Sequence, residues 1–217
     1  MQQSLFDCDP EDADARRELA PGAWWLGGFA RDVEAELDAA TAAVAAAAPF
    51  RQMTTPGGRR MSVQMTNCGA FGWVSDARGY RYVTDDPTSG RPWPVMPAAF
   101  ARLAARAAAA AGFPAFAPDA CLVNRYEPGA KMTPHRDVDE SDFTQPIVSV
   151  SLGLPAVFVW GGLQRGDPKR RVPLASGDVV VFGGPSRRCY HGVLPVADGV
   201  HPRWGRCRVN LTFRRAR

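Results

Sequence analysis

Arg206-Cys207-Arg208-Val209-Asn210-Leu211-Thr212-Phe213-Arg214 alternates between polar and apolar residues along its whole length. Residues two apart in a strand share a face, so Val209, Leu211 and Phe213 lie on one side and Arg208, Asn210, Thr212 and Arg214 on the other. The apolar face fits a core. The polar face is harder to place, because an unpaired buried charge is costly. Either this is an edge strand with solvated arginines, or the polar face lines an anion pocket. A dicarboxylate would satisfy both arginines, since a guanidinium pairs with a carboxylate through two parallel hydrogen bonds. Asn124 and Tyr126 repeat the pattern in Cys121-Leu122-Val123-Asn124-Arg125-Tyr126 and add neutral donors.

Working outward, the second half of the chain has a β texture. Strands are expected at 121–126, 147–151, 156–160, 178–182 and 206–213, separated by turn signals such as Glu127-Pro128-Gly129 and Ser176-Gly177. Strands at this spacing point to a sandwich, barrel or jelly roll. The first half differs. Val33, Leu37, Ala40 and Val44 fall at helical spacing within 30–48, and Pro49 closes that helix. A second alanine-rich helix spans 97–111, with Phe100 and Leu103 on one face, Arg102 and Arg106 on another, and Gly112 after it. Residues 23–29 read as a short strand and turn, and 60–65 as a strand. Residues 1–22 read as a loosely held acidic arm with Leu5 and Phe6 able to dock. Residues 50–95 read as a long loop region rich in Gly, Pro and aromatics, and such segments are often functional. Its Trp73, Arg78, Tyr80, Arg81 and Tyr82 either stack on single-stranded nucleic acid or pin a loop to the core.

The chemistry-bearing stretch is Thr133-Pro134-His135-Arg136-Asp137-Val138-Asp139. In an extended segment His135 and Asp137 aim at one point, with Asp139 following on the same side. His191, in Cys189-Tyr190-His191-Gly192, lies beyond the 178–182 strand, and a jelly roll brings such strands face to face. Two imidazoles and a carboxylate form the facial triad of non-haem iron(II) oxygenases. The plain alternative for each is a solvated or hydrogen-bonded side chain.

Composition narrows the classes. The net charge of +4 hides an asymmetry: residues 1–40 carry ten acids and three bases, whereas the last 17 residues hold six arginines and no acid. A basic body suits a polyanion; it also suits a genome that favours surface arginine. The five cysteines are scattered with no C-x-x-C, which argues against a disulfide framework or zinc site and for a reducing compartment. No secretory signal and no transmembrane run are visible.

Together, Asn124-x-Tyr126-x-Pro128-Gly129, His135-x-Asp137, His191 and Arg208-x-Asn210-x-Thr212-x-Arg214 resemble the AlkB family of iron(II)- and 2-oxoglutarate-dependent dioxygenases, which repair alkylated bases. Arg51-Gln52-Met53, Thr55-Pro56-Gly57-Gly58 and Met65-Thr66-Asn67-Cys68-Gly69 extend the likeness. The resemblance implies a β-rich α+β fold: a double-stranded β-helix, or jelly-roll, core with N-terminal helices and a nucleotide-recognition lid. It divides the chain into an extension, support helices and lid over 1–116 and a dioxygenase core over 117–217. His135, Asp137 and His191 match iron ligands. Asn124, Tyr126, Arg208, Asn210 and Arg214 match the 2-oxoglutarate site. Trp73, Tyr80, Tyr82, Asp139 and Arg165 match nucleotide contacts. Phe182, before Gly183-Gly184, stands where Trp is expected, and Val138 where a charged residue is expected.

The implied activity is oxidative demethylation of N1-methyladenine and N3-methylcytosine with Fe(II), 2-oxoglutarate and O2, releasing formaldehyde, succinate and CO2. The implied partner is alkylated single-stranded DNA, with RNA and double-stranded DNA as further candidates, acted on by a cytoplasmic monomer. Asp139 is either a contact to the cationic base or a solvated acid in the run Asp139-Glu140-Ser141-Asp142. Arg165 and Lys169-Arg170-Arg171 are candidates for phosphate contacts. Two other readings are the same chemistry on a non-nucleic-acid substrate and a non-catalytic nucleic-acid-binding module.

Overall fold

The alternating C-terminal strand is central, not an edge. The structure, a computed structural model, describes residues 15–217. Its largest sheet has eight antiparallel strands: β1 (Arg16–Ala20), β2 (Ala23–Leu26), β12 (Val179–Phe182), β9 (Ile147–Gly153), β14 (Arg208–Arg214), β7 (Ala120–Tyr126), β4 (Arg60–Gly69) and β3 (Arg51–Thr54), in that spatial order. A second sheet of four strands runs β11 (Arg170–Leu174), β10 (Ala156–Trp160), β13 (His191–Val193) and β8 (Met132–His135). The two face one another as a jelly roll.

The period-2 pattern decides what each face meets. On β14, β9 and β12, Val209, Leu211, Phe213, Val148, Val150, Val179 and Val181 share one apolar cluster with Leu37 and Val44 of helix α1 (Glu34–Ala47) and Phe100 and Leu103 of helix α2 (Ala98–Ala110). On the opposite face Ile147, Val180 and Phe182 pack with Phe158, Trp160, Val172 and Leu174 of the small sheet. Ser149, Ser151, Arg208, Asn210, Thr212 and Arg214 interrupt that inner core with polar groups. The helices thus back the large sheet, and the space between the sheets is left for chemistry. Arg102 and Arg106 of α2 meet Glu36 and Asp32 on the surface, pairs worth little each.

Several expectations change. The loosely held arm is wrong for its described end: Arg16–Ala20 pairs with β2 as an edge hairpin turned at Pro21-Gly22. Leu5 and Phe6 lie outside the described residues. The loop region 50–95 is largely strand, comprising β3, β4 and a separate hairpin of β5 (Gly72–Asp76) and β6 (Gly79–Val83). Its glycines and prolines mark turns between short strands. Gly69 is one such turn: its φ is +115°, and a Cβ there would collide with the Asp119 carbonyl. Strands β1 to β4 belong to the same sheet as β7, β9, β12 and β14. Among the described residues no helix is long and apolar enough to cross a membrane.

Phe100 is fully buried and meets Phe213 edge to face, with ring centroids 5.9 Å apart. Phe100→Ala should therefore cost roughly 3–5 kcal/mol of stability, read from urea unfolding midpoints. A loss below about 1 kcal/mol would show that α2 does not anchor the sheet.

Candidate active site

The His-x-Asp pair does not lie on one strand as expected. β8 ends at His135, and Asp137 follows in irregular chain. His191 is not across the roll either: it opens β13 and is the direct register partner of His135. Gly192 permits this approach, since a Cβ there would lie 2.6 Å from the Met132 carbonyl oxygen. The ligand atoms of His135, Asp137 and His191 all lie within 4.8 Å of one another. His135 Nε2 is 3.5 Å from Asp137 Oδ1, and His191 Nε2 is 3.9 Å from Asp137 Oδ2.

The surroundings aim these atoms at a common point. Nδ1 of His135 donates to the Thr133 carbonyl at 3.0 Å, and Nδ1 of His191 to the Cys189 carbonyl at 3.1 Å. A carbonyl only accepts, so both Nδ1 atoms carry a proton and each ring turns its Nε2 toward the cluster, as a metal ligand requires. Arg214 donates from Nε (2.9 Å) and Nη2 (2.7 Å) to the same oxygen, Oδ2 of Asp137. Oδ1 is left for a cation. Burial opposes the charge on Asp137, but Arg214 and the two imidazoles outweigh it and hold this carboxyl well below its usual range. Burial, with His135 alongside, brings His191 down to about 4, so its imidazole is neutral. His135 goes the other way: burial favours its neutral form, but the bond and charge of Asp137 outweigh it and raise its pKa, so a metal competes with a proton there. Two imidazole Nε2 atoms and one ionised carboxylate fit Fe(II).

Farther along β14 the charge balance changes. Arg208 is 1% exposed, and no carboxylate pairs with it among the described residues. Nη2 donates to Ser151 Oγ at 2.9 Å, and the Tyr126 ring lies under the guanidinium at 4.9 Å. Among the described residues Nε and Nη1 have no partner. Burial lowers its pKa, with only Tyr126 working the other way, yet a guanidinium stays charged. A fully buried cation with two unused donors calls for an anion. The narrow cavity between the sheets reaches from Arg208 and Tyr126 past Asn124 and Asn210 to His135 and His191. A dicarboxylate with one end near the metal cluster and the other on Arg208 fits these residues.

Asn210 is fixed by donating to Ser149 Oγ and the Val150 carbonyl, each at 2.9 Å, and by accepting from Thr212 at 2.7 Å. Asn124 donates to Asn210 Oδ1 at 3.3 Å, and its own Oδ1 has no partner among the described residues. Phe182 fills the wall beside the cluster, 5.3 Å from Trp160 edge on and 4.9 Å from His191. Trp160 keeps an indole at this wall.

Of the five residues matched to nucleotide contacts, three come together. Trp73 stacks on Tyr80 at 5.6 Å, and its Nε1 donates to Asp139 Oδ2 at 2.7 Å. Asp139 is therefore not simply a solvated acid. Tyr82 is buried, and its hydroxyl donates to Glu140 Oε1 at 2.7 Å. Arg165 is exposed, over the ring of Tyr190 at 5.3 Å, and Arg136 lies over the same ring at 5.0 Å. Lys169, Arg170 and Arg171 are exposed at the β11 edge of the small sheet, and Val138 is exposed. Sequence reasoning missed Glu140 and Arg187, which are buried beside Asp137 and Arg214. Glu140 sits in an acidic run and Arg187 in Ser186-Arg187-Arg188, and both read locally as surface. Ser149 and Ser151, alternating with valines in β9, did carry a visible signal.

The model of the 2OG-Fe(II) oxygenase superfamily matches residues 22–214. The chain is 52% identical over 212 residues to the alpha-ketoglutarate-dependent dioxygenase AlkB of Salmonella typhimurium, covering 98% of each chain. It is 55% identical over 206 residues to the protein of that name from Escherichia coli, covering 94% of this chain and 95% of that one. The solved structure of OsALKBH1 matches with a TM-score of 0.81 at 30% identity, covering 93% of this chain and 100% of that one.

Arg208→Met should leave the unliganded protein at least as stable as the parent, because apolar volume replaces an unpaired buried cation. It should also abolish stabilisation by 2-oxoglutarate added with Co(II), which for the parent is roughly 2.7 kcal/mol at 100 times Kd. Thermal unfolding reads both; an unchanged ligand response would remove Arg208 from the dicarboxylate site.

Proposed function

The chain belongs to the AlkB family of 2OG-Fe(II) oxygenases, and on that premise we propose that it repairs alkylated DNA by oxidative demethylation of N1-methyladenine and N3-methylcytosine. It uses Fe(II) with 2-oxoglutarate and O2. The reading rests on one juxtaposition: the His135–Asp137–His191 cluster shares its cavity with the unpaired Arg208, while Asp139, two residues from Asp137, holds the indole of Trp73.

Each residue then has a part. His135 and His191 through Nε2, and Asp137 through Oδ1, hold the metal. Arg214 keeps Asp137 ionised and occupies its other oxygen. Arg208 and Tyr126 hold the far carboxylate of 2-oxoglutarate at the cavity floor, and Asn124, Asn210 and Thr212 set the polarity of the wall between. Bound Fe(II) with 2-oxoglutarate and O2 supplies the oxidation that removes the N-methyl carbon as formaldehyde, with succinate and CO2 released. Phe158 and Trp160 of the small sheet and Phe182 of the large one keep the wall beside the cluster apolar and exclude bulk water.

The methylated base must leave its stack to reach this cavity. Trp73, braced by Tyr80, offers it an aromatic face, and Tyr82 fixes the hairpin that carries both. The target bases are cationic, and Asp139 favours that charge while anchoring Trp73. Arg165, with Lys169, Arg170 and Arg171, contacts phosphates in a salt-dependent way. Val138 contributes no charge there. In this division residues 1–116 supply the extension, support helices and lid, and residues 117–217 supply the metal and 2-oxoglutarate residues. The enzyme works as a monomer in the cytoplasm, on single-stranded DNA first, with RNA and double-stranded DNA as further substrates.

Anaerobic loading with Fe(II) and 2-oxoglutarate, followed by air and an N1-methyladenine oligonucleotide, should release formaldehyde. His135→Ala and Asp137→Ala should each abolish both formaldehyde and succinate; retained turnover in either would sink the metal assignment. Asp139→Asn keeps an acceptor for the Trp73 indole but removes the charge. Its kcat/KM should fall about tenfold or more for the cationic bases and much less for neutral etheno adducts. Equal losses on both would leave Asp139 as an anchor alone.

A further inference from the structure

We propose that Glu140, together with Arg187, is a positioning residue that joins the β5–β6 hairpin to Asp137, so that the aromatic hairpin and the metal cluster share one buried charge network. This rests on the reading that His135, Asp137 and His191 hold the metal.

Trp73 and Tyr82 are direct cross-strand partners in the hairpin. From that single rung the indole donates to Asp139 and the phenol to Glu140, two consecutive residues just after Asp137. One rung of the hairpin is thus fastened at two points to the segment that carries a metal ligand. The first fastening is partly exposed. The second is buried, with the Glu140 side chain 2% exposed.

Glu140 passes the constraint inward. Oε2 accepts from Arg187 Nη2 at 3.0 Å, and Oε1 lies 3.4 Å from Arg214 Nε. Arg187, whose side chain is also 2% exposed, spends its other donors on backbone: Nη1 on the Asp137 carbonyl at 3.1 Å and Nε on the Gln145 carbonyl at 2.9 Å. Arg187 therefore holds the main chain of Asp137 while Arg214 holds its side chain. Two guanidinium groups balance two carboxylates. Without the charge on Glu140, two buried cations face one carboxylate, and an incoming metal dication meets a surplus of positive charge that a dry interior screens poorly. Glu140 thus has two separable roles: its charge supports metal binding through Arg214 and Arg187, and its bond to Tyr82 fixes the hairpin that presents the base.

The test uses the full chain. Apoprotein is titrated with Co(II), following the visible d–d absorption. Separately, the Fe(II) enzyme is assayed for succinate and formaldehyde with an N1-methyladenine oligonucleotide. Glu140→Gln should weaken Co(II) binding about tenfold, in the range for residues that orient metal ligands, and alter the d–d spectrum. Tyr82→Phe removes one hydroxyl and leaves the charges in place. Its Co(II) affinity and spectrum should match the parent's, while its KM for the oligonucleotide and its ratio of succinate to formaldehyde both rise. Parent-like Co(II) affinity and spectrum in Glu140→Gln, or a parent-like ratio in Tyr82→Phe, would overturn the proposal. Should Glu140→Gln fail to fold, Arg187→Lys, which keeps a cation but loses the fork on the Asp137 and Gln145 carbonyls, takes its place in the Co(II) arm, and a parent-like d–d spectrum there would overturn the proposal. A parent protein that binds no Co(II) would instead overturn the metal assignment on which the proposal stands.

Discussion

Two arginines on one face of β14 are buried between the sheets, and among the described residues only one of them has a carboxylate partner. The rest of the site depends on this inequality. Arg214 is neutralised by Asp137 and so fixes a metal ligand. Arg208 is left with unused donors and so fixes where an anion must go. Burying a cation without a partner opposes folding. The eight-stranded sheet tolerates it because α1 and α2 supply a continuous apolar core on the other face of the same strands. Stability is gathered on one side of β14, and chemistry is carried on the other.

Hydrogen bonds to backbone carbonyls set which ring nitrogen of each histidine faces the cluster. Thr133 and Cys189 select the Nδ1-protonated tautomers of His135 and His191, and Arg214 selects which oxygen of Asp137 remains open. Ring orientation is thus set in advance, while at His135 a metal competes with the proton that Asp137 favours. The β5–β6 hairpin is drawn into the same arrangement through Asp139 and Glu140, so its Trp73–Tyr82 rung is fastened beside the His135–Asp137–His191 cluster.

Much of this was legible in the chain because alternation is a strong signal where a strand is buried on both faces. Arg208, Asn210, Thr212 and Arg214 could be placed on one side of β14, and Asn124 and Tyr126 beside them, from period 2 alone. The two helices were legible for a similar reason, with boundaries a few residues long at the ends. The 50–95 region was misread because its strands are short and closely punctuated by Gly and Pro, which in isolation look like loop. The supposed arm was misread because Arg16–Ala20 is an edge strand with three exposed residues and little apolar patterning. The geometry of His135 and Asp137 was reached by the wrong route: the strand stops at His135, and Arg214 and Arg187, distant in sequence, bring Asp137 to the cluster. Glu140 had no local signature at all. A buried acid among surface-like acids is distinguished only by the arginines that the fold brings to it.

The most direct measurement is an anaerobic crystal structure with Fe(II), 2-oxoglutarate and an N1-methyladenine oligonucleotide, with anomalous data at the iron edge. The expected result is one iron peak bound by His135 Nε2, Asp137 Oδ1 and His191 Nε2, the far carboxylate of 2-oxoglutarate on Arg208, and the methylated base against Trp73. Iron held by other residues, or a dicarboxylate lying away from Arg208, would contradict it.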